Sequence, residues 1–254
     1  RVLERGAATC SHAELIQNPE DTATLARWGV PERRLFNLGN GIDLGRFDRR
    51  EAMAGERREL RAEWGVSDKT PVVVTVGRLV AEKGFRELFE AHRRLRRSGS
   101  NHELVVVGPT EAGKADGLTE AEVAEATADG LRLVGFSDRP ERYYAAGDVF
   151  VLASHREGFP RAAMEASAMG LPVIATDIRG CRQVVDDDVS GLLVPVNDAA
   201  ALEAALRTLL DDPVRRDVMG QAAAQRARDR FDQQNQIDLT LETYRRLLPK
   251  RAPS

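Results

Sequence analysis

The sequence predicts an α/β chain built on a parallel sheet with helices on both faces. Three observations carry this prediction. Short β-branched runs of buried-strand type recur along the chain, helical stretches separate them, and the passage from Gly147 to Thr176 is punctuated as a strand, a helix and a second strand. In that passage Asp148-Val-Phe-Val-Leu-Ala153 and Leu171-Pro-Val-Ile-Ala-Thr176 are the strands. Pro160 suits the first position of the helix between them, where a missing N–H is no loss, and Gly170 suits the left-handed residue just past its end.

That helix begins after a Glu157-Gly-Phe turn at the carboxyl end of a strand, which is where open parallel sheets bind ligands. Its start offers the N–H groups of Arg161, Ala162 and Ala163 and a partial positive charge, enough to hold a phosphate. Gly158 lets backbone approach a ligand closely. Glu165 lies about one turn further in, on the strand-end side if Ala162, Met164, Ala166 and Met169 pack against the sheet, and its two oxygens suit paired ribose hydroxyls. Glu157, in the turn, suits the hydroxyls of a second sugar. Together they fit a sugar–diphosphate–ribose ligand; a helix cap beside one solvated Glu is the alternative reading of the same residues.

At 254 residues the chain can bury a full core, as one large domain or two small ones. Its net charge of −3, from 37 basic and 40 acidic residues, makes no case for non-specific nucleic-acid binding. Cys10 and Cys181 are far apart and read as thiols of a reducing compartment, hence a cytoplasmic setting; no Cys/His spacing resembles a zinc site. The longest apolar runs are strand-sized, too short to cross a membrane as a helix. The chain opens on Arg1 without a signal-like apolar core, which suggests a fragment lacking its N-terminal part.

In chain order, Glu14-Leu-Ile-Gln17 reads as a short strand and Asn18-Pro-Glu-Asp21 as the capped start of a helix through Trp28, stopped by Gly29. Arg34 to Leu38 is a second short strand, followed by a tight turn at Gly39-Asn-Gly41 and a solvated charged helix from about Arg49 to Trp64. Pro71-Val-Val-Val-Thr-Val76 is a buried strand leading into Gly77-Arg78, and Lys83-Gly84 precede a helix from Phe85 to about Arg97. Phe85, Leu88, Phe89, His92 and Leu95 face inward on it, with the Arg-rich side wet. Both Arg78 and Lys83 sit beyond a strand end, within reach of a diphosphate, although each alone also reads as a surface charge.

Glu103 to Gly108 is the next strand, and Gly108-Pro-Thr-Glu-Ala-Gly-Lys114 imitates a phosphate loop. Ala115 lacks the hydroxyl that would ligate magnesium, and Thr119 with Glu122 marks the true helix start as a capping box. Leu131 to Val134 is a strand ending in Gly135-Phe136, before a short capped helix from Asp138 to Ala146. After the central passage come a polar loop with a short helix from Asp177 to Asp188, a strand Gly191-Leu-Leu-Val194, and helices near 198–210, 214–230 and 233–248.

These pieces resemble the family 4 (group 1) retaining glycosyltransferases of the two-domain GT-B architecture. The resemblance covers about residues 35 to 248 and rests on Leu38-Gly-Asn-Gly-Ile-Asp43 with Arg46-Phe47, Val76-Gly-Arg78, Glu82-Lys83-Gly84, Val134-Gly-Phe136, Glu157-Gly-Phe-Pro160 with Glu165, Gly170-Leu-Pro-Val173 and Gly191-Leu-Leu-Val194, all in family order and spacing. It implies a Rossmann-like donor-binding half at 39–232, preceded by the tail end of the N-terminal acceptor domain at 1–38 and followed by a crossover helix at 233–254.

By that resemblance Gly77, Arg78 and Lys83 bind the donor diphosphate without a metal, and the two cations stabilise the leaving group. Glu157, with Gly158 and Phe159, holds the donated sugar, Pro160 to Ala162 the phosphates, Glu165 the ribose, and Val134, Gly135 and Phe136 lie against the base. Arg78, Lys83 and Glu157 are the implied catalytic residues. The donor is a substrate, so no cofactor is implied; the acceptor is a sugar, a lipid or a small molecule, and peripheral membrane contact would come through the missing domain. Arg179-Gly-Cys-Arg-Gln183 departs from the family pattern, which has an acid where Gln183 stands. A related epimerase or sugar-phosphate synthase, or a non-catalytic nucleotide-sugar-binding module, are the rival readings.

Overall fold

The computed structural model describes residues 6–8, 10–48, 51–111 and 113–248. Arg49 and Arg50, which fall in the expected charged helix, and Ala112, in the phosphate-loop lookalike, lie outside them. A six-stranded sheet forms the centre, made of β3 (Val72–Val76), β4 (Glu103–Val107), β5 (Leu131–Gly135), β6 (Val149–Leu152), β7 (Val173–Thr176) and β8 (Gly191–Val194). Every pairing is parallel, and the order across the sheet is β5-β4-β3-β6-β7-β8. A separate parallel pair, β1 (Glu14–Ile16) and β2 (Leu35–Asn37), flanks the helix α1 (Pro19–Arg27).

The apolar strand runs are continuous because both faces of the sheet are covered. Val73, Val151 and Ile174 pack with Phe85, Leu88 and Leu95 of α3 (Phe85–Arg97) and with Leu202, Leu206 and Leu209 of α8 (Ala199–Asp211). On the other face Val72, Val74, Phe150 and Val173 pack with Tyr144 of α5 (Pro140–Ala146), Met164 and Ala166 of α6 (Arg161–Ala168), and Cys181 of α7 (Cys181–Val184). The inward set expected on α3, including His92, is buried.

Helix α4 (Glu120–Ala128) starts where the capping box places it: Thr119 and Glu122 bond reciprocally. The lookalike loop makes no helix at Lys114, which pairs with Glu111 at 2.5 Å. Thr119→Ala is expected to cost about 1 kcal/mol in urea unfolding, whereas Lys114→Ala, at an exposed surface pair, is expected to stay within about 0.5 kcal/mol.

Four expectations need correction. Helix α2 (Glu51–Glu63) is not a solvated element: it packs along α5, and Arg61 is buried. The charge is tolerated because Asp148 takes Arg57 at 2.7 Å and Arg61 at 3.1 Å, the Ala146 carbonyl accepts from Arg61 Nη1, and those of Ser67 and Thr70 accept from Nη2, while Nε makes no hydrogen bond and lies 3.8 Å from the Asp68 carboxylate. The segment Gly39–Gly41 makes no tight turn; the turn comes at 44–46. Gly41 is instead a close approach, since a Cβ there would sit 2.5 Å from the Gln233 Cα. Pro160 is the residue before the first helical one, with φ −74° and ψ 109°, so α6 begins at Arg161. The helix after β5 begins at Pro140 with no side-chain cap, so Asp138 does not cap it.

Helix α9 (Pro213–Arg230) returns to the sheet, and α10 (Gln233–Leu247) runs from it to the small sheet. Gln236 donates to the Gly39 carbonyl at 2.8 Å and Arg246 lies over the Phe36 ring.

Candidate functional site

Strands β3 and β6 are neighbours, but the chain leaves them toward opposite edges of the sheet, so a crevice opens at their carboxyl ends. Gly77 and Arg78 follow β3; Ser154 to Pro160 follow β6. Lys83 ends a single 3-10 turn, Ala81–Lys83, and Gly84 after it has φ +69°. A Cβ on Gly84 would lie 1.9 Å from the Ala153 carbonyl oxygen, so only glycine lets this turn press against the end of β6. That contact puts Lys83 beside the loop after β6: its Nζ lies 2.6 Å from Glu157 Oε1, which also accepts the Ser154 hydroxyl at 2.8 Å.

Helix α6 opens into the same crevice. Its first intrahelical bond runs from Met164 N–H to the Pro160 carbonyl, so the amides of Arg161, Ala162 and Ala163 precede the ladder. Gly77 and Gly158 face open space, where an added Cβ would meet no protein atom. Ala163, Met164, Ala166 and Met169 pack inward, with Ala162 only partly buried, and Glu165 accepts the hydroxyl of fully buried Tyr144 at 3.0 Å. Burial pushes the Glu165 carboxyl above its ordinary value, against the downward pull of the Tyr144 bond and of the Arg161 and Arg46 charges. Arg46 itself is held by Glu141 at 2.9 Å.

Lys83, Glu157, Gly158 and the start of α6 therefore converge. Arg78 stands apart from the Lys83–Glu157 pair: its side chain is 58% exposed and its ion-pair partner is Glu111, at 3.8 Å. Val134 and Gly135 end β5 and Phe136 follows it, with β4 between them and β3, and Phe136 is 78% exposed. His155 turns away to Glu87 of α3, at 3.1 Å, and His12 lines a groove beside Tyr244 and Leu247 of α10.

Beneath the Glu157 turn lies the loop that carries α7. Gly180 is in contact with it: a Cβ there would be 2.4 Å from the Glu157 carbonyl oxygen. Gln183, where the family pattern has an acid, donates to Glu20 at 3.1 Å and to the Arg179 carbonyl at 3.2 Å. Burial pushes the Cys181 thiol up to about 12, so it stays protonated under the crevice. A cleft of about 540 Å³ separates the β1–α1 segment from this loop, lined by Leu15, Asn18, Asp21, Trp28, Gly158 and Arg179.

The sequence reading missed Ser154, Tyr144, Asn18 and Asn40 as supports of the site. Asn18 was legible only as a helix cap; its amide also reaches Gly158 and Arg179, as Asn40 reaches Phe159.

Residues 56–226 match the family model for glycosyl transferases group 1. The chain is 36% identical over 242 residues to a D-inositol 3-phosphate glycosyltransferase of Kineococcus radiotolerans, covering 89% of this chain and 54% of that protein. It is 32% identical over 190 residues to a glycogen synthase of Mycobacterium tuberculosis, covering 72% of this chain and 45% of the relative. Among solved structures, sucrose-phosphate synthase from Thermosynechococcus elongatus superposes with a TM-score of 0.83 at 28% identity, over 97% of this chain and 61% of that one. An Anabaena protein in complex with UDP-glucose superposes with a TM-score of 0.79 at 20% identity, over 92% and 64%. The chain thus spans about half the length of the curated relatives it matches, at 54% and 45%. The parallel six-stranded sheet is of the GT-B, Rossmann-like kind.

Proposed function

We propose, from the premise that this chain belongs to the group 1 glycosyl transferases, that it binds a nucleoside diphosphate sugar for transfer of the sugar to an acceptor, with retention, as a family 4 enzyme. The observation that carries the reading is the Lys83–Glu157 pair, 2.6 Å apart, set at the start of α6 in the crevice between β3 and β6. An ammonium group has three donors. One goes to Glu157, leaving two for diphosphate oxygens beside the α6 amides. Arg78, exposed on the loop after β3, supplies the second cation and the leaving-group stabilisation that a divalent ion gives in other transferases.

Glu157, aimed by Ser154 and Lys83, accepts hydroxyls of the donated sugar. Glu165 takes the ribose hydroxyls, and exposed Phe136 offers a face to the base. Acceptor contacts and part of the closed site come from residues beyond 1–254, in keeping with the share of the relatives that the chain spans. A cytoplasmic setting belongs to the same reading; among the described residues no helix is long and apolar enough to cross a membrane.

A thermal-shift panel of nucleoside diphosphates and their sugars tests the reading. One nucleotide series is expected to raise Tm by an amount that corresponds to about 2.7 kcal/mol at a hundredfold excess over Kd, unchanged by EDTA. No response from any member, or a response abolished by EDTA and restored by magnesium, overturns it. Residues 1–254 are further expected to bind donor without transferring sugar, measured as release of free nucleoside diphosphate. Turnover matching that of a longer chain would place the acceptor site within these residues.

A further inference from the structure

We propose that Asn18 is a positioning residue for the sugar-contacting turn, an assignment that rests on the donor reading above. Asn18 is 1% exposed and lies at the start of α1, in the small β1–β2 unit. Its Oδ1 caps the helix by accepting the Glu20 N–H at 2.9 Å. A cap needs nothing more, and Ser, Thr or Asp would serve it as well. Asn alone among these adds two N–H donors. Both are used at long range: Nδ2 donates to the Gly158 carbonyl at 3.1 Å and to the Arg179 carbonyl at 3.2 Å.

These two carbonyls belong to the layers that fix Glu157. Gly158 follows Glu157 directly, and Arg179 precedes Gly180, where an added Cβ would fall 2.4 Å from the Glu157 carbonyl oxygen. Asn40 completes the set by donating to the Phe159 carbonyl at 3.4 Å. The carbonyls of Glu157 and Gly158 thus both lie against Gly180, and those of Gly158 and Phe159 each accept from an asparagine side chain, Asn18 of the small β1–β2 unit and Asn40 of the segment that follows it. Around Asn18, Arg182 pairs with Glu20 at 3.0 Å and Arg179 pairs with Asp21, which tie the start of α1 to the same loop. The geometry makes the position of α1 part of the aim of the Glu157 carboxylate toward Lys83 and the sugar.

Asn18→Asp separates positioning from capping, because it keeps the cap oxygen and removes both donors; Asn18→Ser repeats this without added charge. Backbone NMR order parameters of Gly158 and Phe159 are expected to fall from roughly 0.85 to below about 0.6 in both variants, with those of 20–27 unchanged. With UDP and UDP-glucose as probes, the variants are expected to weaken UDP-glucose about tenfold, since a misplaced contact costs up to about a hundredfold, and to leave UDP within about twofold. Unchanged order at Gly158 and Phe159 overturns the proposal, as does loss of order along the whole of α1, which would make Asn18 a cap alone. If wild-type protein binds neither probe, that counts against uridine as the base, which the donor reading leaves open, and the order parameters still decide the role of Asn18.

Discussion

Lys83→Ala is expected to weaken nucleoside diphosphate binding about tenfold or more, the largest loss from any single cation of the site. A charge-assisted bond contributes roughly 1.5–3 kcal/mol, and each 1.4 kcal/mol is a factor of ten. Lys83 is only 24% exposed, so its charge is less screened than that of Arg78, at 58%. The substitution also strips Glu157 of its partner at 2.6 Å, leaving a carboxylate next to the incoming phosphates. Like charges there add to the loss. Arg78→Ala is expected to be milder and to fade as salt rises, since that guanidinium is solvated and shared with Glu111. Calorimetry at two ionic strengths checks both, and a Lys83→Ala affinity within about twofold of wild type would remove Lys83 from the phosphate site.

The contribution of Lys83 was legible as a residue type at a strand end, but its pairing was not. Lys83 and Glu157 are 74 residues apart, and nothing local to either names the other; the meeting depends on Gly84 pressing against Ala153. Local signals were read well where the cause is local. The capping box at Thr119 and the left-handed Gly170 follow from bonds within a few residues. The charged helix α2 was misread because Arg61 looks solvated until Asp148, 87 residues away, is brought under it. Pro160 satisfies both the last non-helical and the first helical position with the same φ, so its sequence could not separate them. The Gly39-Asn-Gly41 pair carries turn residues for a different purpose: Gly41 makes room for the start of α10. Strand order is a non-local property too, and with it the identity of the two strands that frame the crevice.

The two acids of the site are expected to separate by ligand. Glu165→Ala leaves ribose hydroxyls unpaired in a closed site, at about 1–3 kcal/mol, and is expected to weaken free nucleoside diphosphate and nucleotide sugar alike. Glu157→Ala is expected to spare the free nucleotide, or tighten it slightly, because it releases the Lys83 ammonium. Its cost falls on the nucleotide sugar and on turnover of a complete enzyme, if its contacts tighten as the sugar flattens toward an oxocarbenium ion. Glu165 carries a second signature. Burial raises its pKa, so the protonated form is the one the fold favours; that stability is full below the ordinary carboxylate value and is lost as pH rises through the raised one. Above the raised value the fold holds an ionised group it would rather keep neutral, and Glu165→Gln is expected to hold or raise Tm there while weakening nucleotide. The ionised form is the better acceptor for ribose hydroxyls, so wild-type affinity is expected to fall with pH earlier than an ordinary carboxylate would dictate, a fall absent in Glu165→Gln. Titration calorimetry of both variants against both ligands across that pH range decides the assignment. Equal losses for Glu157→Ala with and without the sugar would exchange or abolish the two roles, and a Glu165→Gln protein that loses stability would show that its carboxylate supports the fold rather than the ligand.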